Sequence, residues 1–507
     1  MTITTARQRM TRGPSKLWFA LMAMSILFFS TALAQKSVVV AQAANLSTLD
    51  VHLTGDMPDM AVLINIYDTL LTRDASGEIQ PNLATSWENI DGTTWRFTLR
   101  EGVLFHNGEP LTPETVKYSI ERVMNPETKS PIQEFRTFES VEVVDAHTVD
   151  IHTNVVDPIV PAKLTLFGGA IVPADYIETN GASYFASHPV GTGPFKFVEW
   201  VKDDHLTLER NEDYWRGAPA LDRVTFVGIP SDAGRMAALL AGEVDIAATL
   251  PADFISTVEA NPATRVDSAE GLRIFYLSTA YPTGPTADVR VRQAISYAVD
   301  TELLISELFG GKGKRIAAPV ASANFGYDPS LEPYAYDPER ARELLAEAGY
   351  SDGFTIDFAT RPGIYEDIAV AVTGMLEQVG IRSNLSRLPA AEYSDKYGKG
   401  ELPPLWDLGY TLWQGEPTVL IDTFFLTGNP RTKYSSPELD GIITDLKSEV
   451  DVETRRSLIQ QALGILHEQA PWVYLAQADE VFGVNKRVIW QVPNNQILNM
   501  SGVDVAD

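Results

Sequence analysis

The absence of cysteine constrains this chain more than any other feature. None of its 507 residues can form a disulfide, act as a thiol nucleophile or carry a thiol-linked lipid anchor. The fold must be held by buried apolar surface and hydrogen bonds. The composition suits that, with 45% hydrophobic and 21% charged residues, as in ordinary globular proteins.

The first 34 residues read as a secretory signal peptide. Arg7, Arg9, Arg12 and Lys16 form a basic region without acids, and an apolar run over residues 17–29 follows. Ala32-Leu33-Ala34 then fits a small-x-small cleavage site before Gln35. The run is short for a membrane span, and no twin arginine precedes it. An exported chain without a lipid anchor points to a periplasm, with cleavage near Ala34. Of the 40 basic residues four lie in this leader, leaving 36 against 67 acidic ones, a net charge of about −31. That acidity argues against nucleic acid, which needs basic patches to neutralise phosphate, and against anionic lipid. The remaining length, about 473 residues, suggests two or three domains.

Helix and strand signals alternate without a repeat period. Val38-Val39-Val40 reads as a strand, and residues 94–99 alternate with Trp95, Phe97 and Leu99 on one side. Thr112-Pro113-Glu114 and Asp337-Pro338-Glu339 are helix starts, each with a capping oxygen, a proline at the first helical position and an acid in the first turn. Gly349 ends the second helix. Residues 458–466 carry a further helical stripe. The fold class is mixed α/β.

No catalytic constellation stands out. The seven histidines form no metal-ligand set, and His467-Glu468 lacks the second histidine of a zinc-protease helix. No G-x-S-x-G elbow is present. In PVGTGPFKF the glycines precede Pro194 and a strand, whereas a dinucleotide fingerprint needs a helix. GGKGKR lacks phosphate-loop spacing and reads as a loop. No cofactor and no metal are called for, and an enzyme is not expected; a secreted hydrolase is the remote alternative.

Seven blocks in order resemble one family. They are NIYDTLLTRD, LATSWENIDGTTWRFTLREGVLFHNGEPLTPETVKYSIERV, PVGTGPFKFVEW, LERNEDYWRGAPALDRVTF, AALLAGEVDIA, DVRVRQAISYAVD and YDPERARELLAEAGY. Together they are similar to the periplasmic solute-binding proteins of peptide-type ABC importers, the dipeptide, oligopeptide and nickel group (solute-binding family 5). The resemblance implies a two-lobe periplasmic-binding-protein fold with a hinge and an extra subdomain in the first lobe. Lobe I would combine residues 36–62, 186–269 and 480–507, with the subdomain at 63–185, and lobe II would span 270–479. Two hinge strands would cross near 272–277 and 473–478. The implied role is capture of a solute between the lobes, in a monomer, and its delivery to membrane permease subunits with cytoplasmic ATPases.

The resemblance also implies site residues. In peptide-binding members an aspartate four residues before a proline pairs with the ligand α-amino group. Aligning Gly409 and Glu416-Pro417 puts Trp413 in that place. A buried ammonium without a carboxylate partner costs several kcal/mol, whereas an indole can stack on a sugar ring or a quaternary ammonium. Tyr276 and Ser278 share a strand face, with Ser278 where an oligopeptide receptor has an acid. Arg361, in ATRPGIY, resembles the arginine that holds a peptide carboxylate, for which its planar fork is suited. Tyr410 and Thr411 precede Trp413 and, on an extended chain, Thr411 would face the same way. Thr54 and Gly55 are the first-lobe loop candidates. The family favours a peptide. The site letters favour an anionic solute without a free α-amine, such as a sugar phosphate, an opine-like conjugate or an acylated peptide; a quaternary ammonium is a further alternative.

Overall fold

The computed structural model describes residues 35–431 and 433–506. The signal-peptide reading falls on residues 1–34, outside the described residues. Among the described residues no helix is long and apolar enough to cross a membrane.

The local signals produce the elements they predict. The Thr112 side chain accepts from the Thr115 amide at 3.3 Å and opens the helix Pro113–Met124, which buries Val116, Ile120 and Val123. The Asp337 carboxylate accepts from the Arg340 amide at 2.9 Å and opens Pro338–Glu347, and Gly349 follows with φ +91°. The strand Thr94–Leu99 buries Trp95, Phe97 and Leu99 on the side that faces its own core. In PVGTGPFKF, Cβ atoms on Gly191 or Gly193 would collide with the Ile66 backbone, so these glycines serve a close crossing before the strand Phe195–Val201. GGKGKR is not wholly a loop: Gly313–Lys314 pairs with Ala478 and Gln477 at a free stretch of strand edge.

The architecture is a two-lobe α/β fold built on one eleven-stranded sheet. Its main path runs Ile381–Arg387, Phe354–Thr360, Leu405–Thr411, Thr264–Ser278, Trp472–Asn485, Ile246–Ala247, Ser37–Gln42, Arg223–Gly228, His205–Arg210 and Phe195–Val201. The fourth and fifth of these are long antiparallel partners that cross from one half of the sheet to the other. Arg273–Ser278 of the first pairs onward to Leu405–Thr411, while Gly483 and Val484 of the second pair onward to Ile246–Ala247. Their register breaks between Glu270 and Arg273, where a Cβ on Gly271 would strike the Ala478 carbonyl oxygen. Such a bulge relaxes the ladder at the crossing.

Each half buries its own apolar set. Val38, Val40, Leu208, Val224 and Phe226 belong to one core. In the other half the two sheet faces pack separately. Phe275, Leu277 and Phe358 meet helices Val289–Ala298 and Ile364–Glu377, whereas Ile274, Tyr276 and Trp406 meet Pro417–Phe425 and Pro437–Leu446. A separate four-stranded sheet, ordered Ala84–Asn89, Thr94–Leu99, Thr148–Thr153 and Phe138–Asp145, has a core of its own around Phe97 and Ile120.

Candidate ligand cleft

The strand Leu405–Thr411 stops at Thr411, and the chain turns at Trp413 and Gln414 before the helix Pro417–Phe425. Glu416 fixes that turn. Its carboxylate accepts from the Thr418 hydroxyl at 2.8 Å and pairs with Arg455 at 2.5 Å, with both charged side chains less than one-tenth exposed. Breaking a pair this buried would strand a charge, at a cost of about 3–5 kcal/mol. The turn is thus held while Trp413 itself stays partly exposed.

Trp413 lines two neighbouring cavities. One, of about 270 Å³, is shared with Thr54, Gly55, Glu134, Phe135 and Gln414. The other, of about 660 Å³, is shared with Arg73, Asn82, Arg216, Glu270 and Ser322. Met60, Leu166 and Phe167 border both, so Trp413 completes an apolar partition in a cleft whose ends are polar. Volumes of this order suit small-molecule or short-peptide ligands.

Chain segments far apart in sequence meet across this cleft. Arg73 donates to the Gln414 carbonyl oxygen, and the Gln414 amide nitrogen reaches Glu134 Oε1 at 3.4 Å. Burial lowers the Arg73 pKa to about 10, against the raising influence of Glu416, Glu78 and Asp74, so it remains charged at neutral pH. Among the described residues no group of three or more His, Asp or Glu could hold a metal ion.

Three of the sequence candidates, Trp413, Thr54 and Gly55, share one cavity. The Thr54 hydroxyl donates to Asp59 at 2.8 Å and accepts from the Asp56 amide at 3.1 Å. Its bonds shape the loop entering the helix Met57–Leu63, and the Gly55 backbone is the more available surface. Tyr410 lies one turn back, half-buried and edge-on to Phe424 with ring centroids 5.2 Å apart. Burial and the Glu134 charge both raise its pKa. The chain is not extended through Trp413, so the shared facing of Thr411 and Trp413 does not hold; Thr411 Oγ1 is buried without a hydrogen-bond partner.

Tyr276 and Ser278 require a correction. They do share a strand face, but that face is buried in the core against the helices Pro417–Phe425 and Pro437–Leu446. Tyr276 is fully buried and stacks on Trp472 with ring centroids 3.6 Å apart and planes at 7°, and Ser278 is 1% exposed opposite Trp472. Arg361 follows Phe354–Thr360, which runs parallel to Leu405–Thr411, so both chain turns leave the same end of the sheet. Its guanidinium lies 4.0 Å over Tyr365 and 5.4 Å from Tyr393, and its Nε has no partner. Beside it Asp407 accepts from the Thr360 hydroxyl at 2.8 Å, and burial raises its pKa to about 7.

Sequence reasoning missed Glu134, Gln414 and Arg73. Arg73 lay in plain view within NIYDTLLTRD, a charged residue ending an apolar run. Glu134 and Gln414 are 280 positions apart and carried no local signal of their meeting.

Two lobes meeting around a partly apolar cleft define a class, the solute-binding proteins that enclose a small ligand between domains. Residues 78–431 match the family model "Bacterial extracellular solute-binding proteins, family 5 Middle", and the chain belongs to that family. It is similar to Heme-binding protein A of Haemophilus influenzae, 29% identical over 82% of each chain. It is also similar to the glutathione-binding protein GsiB of Salmonella typhi, 28% identical over 96% of this chain and 98% of that one. Among solved structures it resembles the ABC transporter-associated periplasmic binding protein DppA of Helicobacter pylori in complex with the peptide STSA. That match has 28% identity and a TM-score of 0.74, covering 92% of this chain and 98% of that one. The chain is an extracytoplasmic substrate-binding component of an ABC importer.

Proposed function

We propose that the cleft around Trp413 captures a short peptide or peptide-like conjugate and presents it, enclosed, to a membrane permease served by cytoplasmic ATPases. The observation that carries the reading is Trp413 standing between two cavities, with the Thr54–Gly55 loop and Glu134 facing it from elsewhere in the chain. An affinity near 1 μM needs about −8 kcal/mol, within reach of one aromatic wall and a few hydrogen bonds. Arg361 takes an anionic end of the ligand, a role supported by its unpartnered Nε and its place at the same sheet end as the Trp413 turn. Relatives named for glutathione and a solved complex with the peptide STSA support the peptide class, and a solved complex with agropinic acid keeps an opine-like conjugate as the second reading.

The same reading places the protein in a periplasm after cleavage near Ala34, as a monomer without catalytic turnover. Its lobe I is assigned to residues 36–62, 186–269 and 480–507, its subdomain to 63–185, and lobe II to 270–479. The register break after Glu270 supports the first of the two crossing points. Native mass spectrometry of protein mixed with an unmodified tripeptide pool tests the proposal. Retained peptide masses are expected; hydrolysed products, or no retained peptide, would contradict it.

A further inference from the structure

A third cavity, of about 140 Å³, lies beyond the first turn of the helix Met57–Leu63, and Met57 borders both it and the cavity that Trp413 shares with Thr54. It opens at the carboxyl ends of the parallel strands Ser37–Gln42 and Ile246–Ala247, the end of an α/β sheet at which ligands bind. Its polar lining is Gln42, Thr249, Glu480 and Gln496. Gln42 is 5% exposed and its Oε1 has no hydrogen-bond partner. Glu480 is 8% exposed, and Gln496 donates to its Oε1 at 2.8 Å. A buried carboxylate and an orphaned amide oxygen thus belong to two residues that line one cavity. What satisfies both is a group with several donors and no acceptor, and a primary ammonium has three. Charge on one side and a cation on the other also remove the penalty of a buried unpaired ion.

We propose that Glu480 and Gln42 form an ammonium-binding subsite of the cleft, taking the free amine of a peptide-class or other amine-bearing solute. This rests on the reading of the cleft given above and draws its carboxylate from a different strand, the one in the Trp413 turn, Glu416, being taken by Arg455. Burial raises the Glu480 pKa to about 7, with Asp479 on its own strand adding to the rise. The Gln496 hydrogen bond and Arg273, from the strand Thr264–Ser278, oppose it. Ammonium binding therefore draws a proton off Glu480, and affinity rises with pH from 6 to 7.5.

The test compares an unmodified tripeptide pool, the same pool N-acetylated, and the amines putrescine and ethanolamine. Each is added to the parent protein and to Glu480→Gln and Gln42→Met, with native mass spectrometry for occupancy and calorimetry for affinity. Circular dichroism and the unliganded melting temperature show that the variants are folded. Unmodified peptides are expected to bind about tenfold or more tighter than acetylated ones. Glu480→Gln should remove that difference while leaving the acetylated pool unchanged. Equal binding of the two pools by the parent overturns the subsite and leaves the peptide reading in place. Binding of putrescine or ethanolamine but of neither pool supports the subsite and overturns the peptide reading. No binding by any amine probe overturns the subsite.

Discussion

Trp413 is partly buried on a turn that Glu416 and Arg455 hold from beneath, and its side chain borders two cavities. Trp413→Ala should weaken binding of a retained tripeptide by roughly 1 kcal/mol or more. The variant should stay folded, with an unliganded melting transition as cooperative as that of the parent. Calorimetry and a thermal scan check both; undiminished affinity would make the indole a bystander. Arg361→Ala should cost about 1.5–3 kcal/mol of affinity for a peptide with a free carboxylate. Arg361→Lys should restore only part, since the planar fork is lost. Equal affinities for the parent and both variants would assign Arg361 to its stack on Tyr365 alone.

At the scale of elements, what was legible in the sequence was what neighbouring residues decide among themselves. The Thr112 and Asp337 caps and the alternation of Trp95, Phe97 and Leu99 need only a few residues to read, and each element formed where its signals lay. Thr112→Ala should lower stability by about 1 kcal/mol, measured by chemical denaturation; an unchanged midpoint would mean that tertiary packing alone holds the helix. What could not be read depends on partners distant in the chain. The alternation that joins Tyr276 to Ser278 is visible, but that their face is buried rather than open to the cleft is set by Trp472 and Phe424, about 150 to 200 residues on. The meeting of Glu134 with Gln414, and the placing of Glu480 and Gln42 on one cavity, follow from the crossing of two long strands and from loops that no single stretch announces. A charged pair inside the apolar run around Asp479 and Glu480 was the one hint available.

For the whole molecule, two buried acids shape the response to pH. Burial raises Asp407 and Glu480 to about 7, whereas unfolded carboxyls titrate near 4. Between those values the native state keeps protons that the unfolded chain has released. The contribution of these two acids to stability is fully present below about pH 4, declines as pH rises toward 7, and levels off beyond it. Carboxylates held low, such as Asp288 beside Arg290 and Asp504 beside Lys36, act in the opposite sense and only at more acid pH. His52 and His106, whose pKa burial lowers to about 4, act in the opposite sense below about pH 6.5, so the test is a difference: the melting temperature of Asp407→Asn relative to the parent should rise from pH 5 to 7.5. Parallel curves for parent and variant would remove Asp407 from the account.

On the function proposed above, the two lobes close around a solute at Trp413, driven by differential affinity for the closed state. Small-angle X-ray scattering addresses it directly. The protein is unfolded and refolded to remove any co-purified solute, then measured with and without a saturating unmodified tripeptide pool. A smaller radius of gyration with the pool, absent in Trp413→Asp, is the predicted result. An identical radius in the parent, with occupancy confirmed by native mass spectrometry on the same samples, would contradict it.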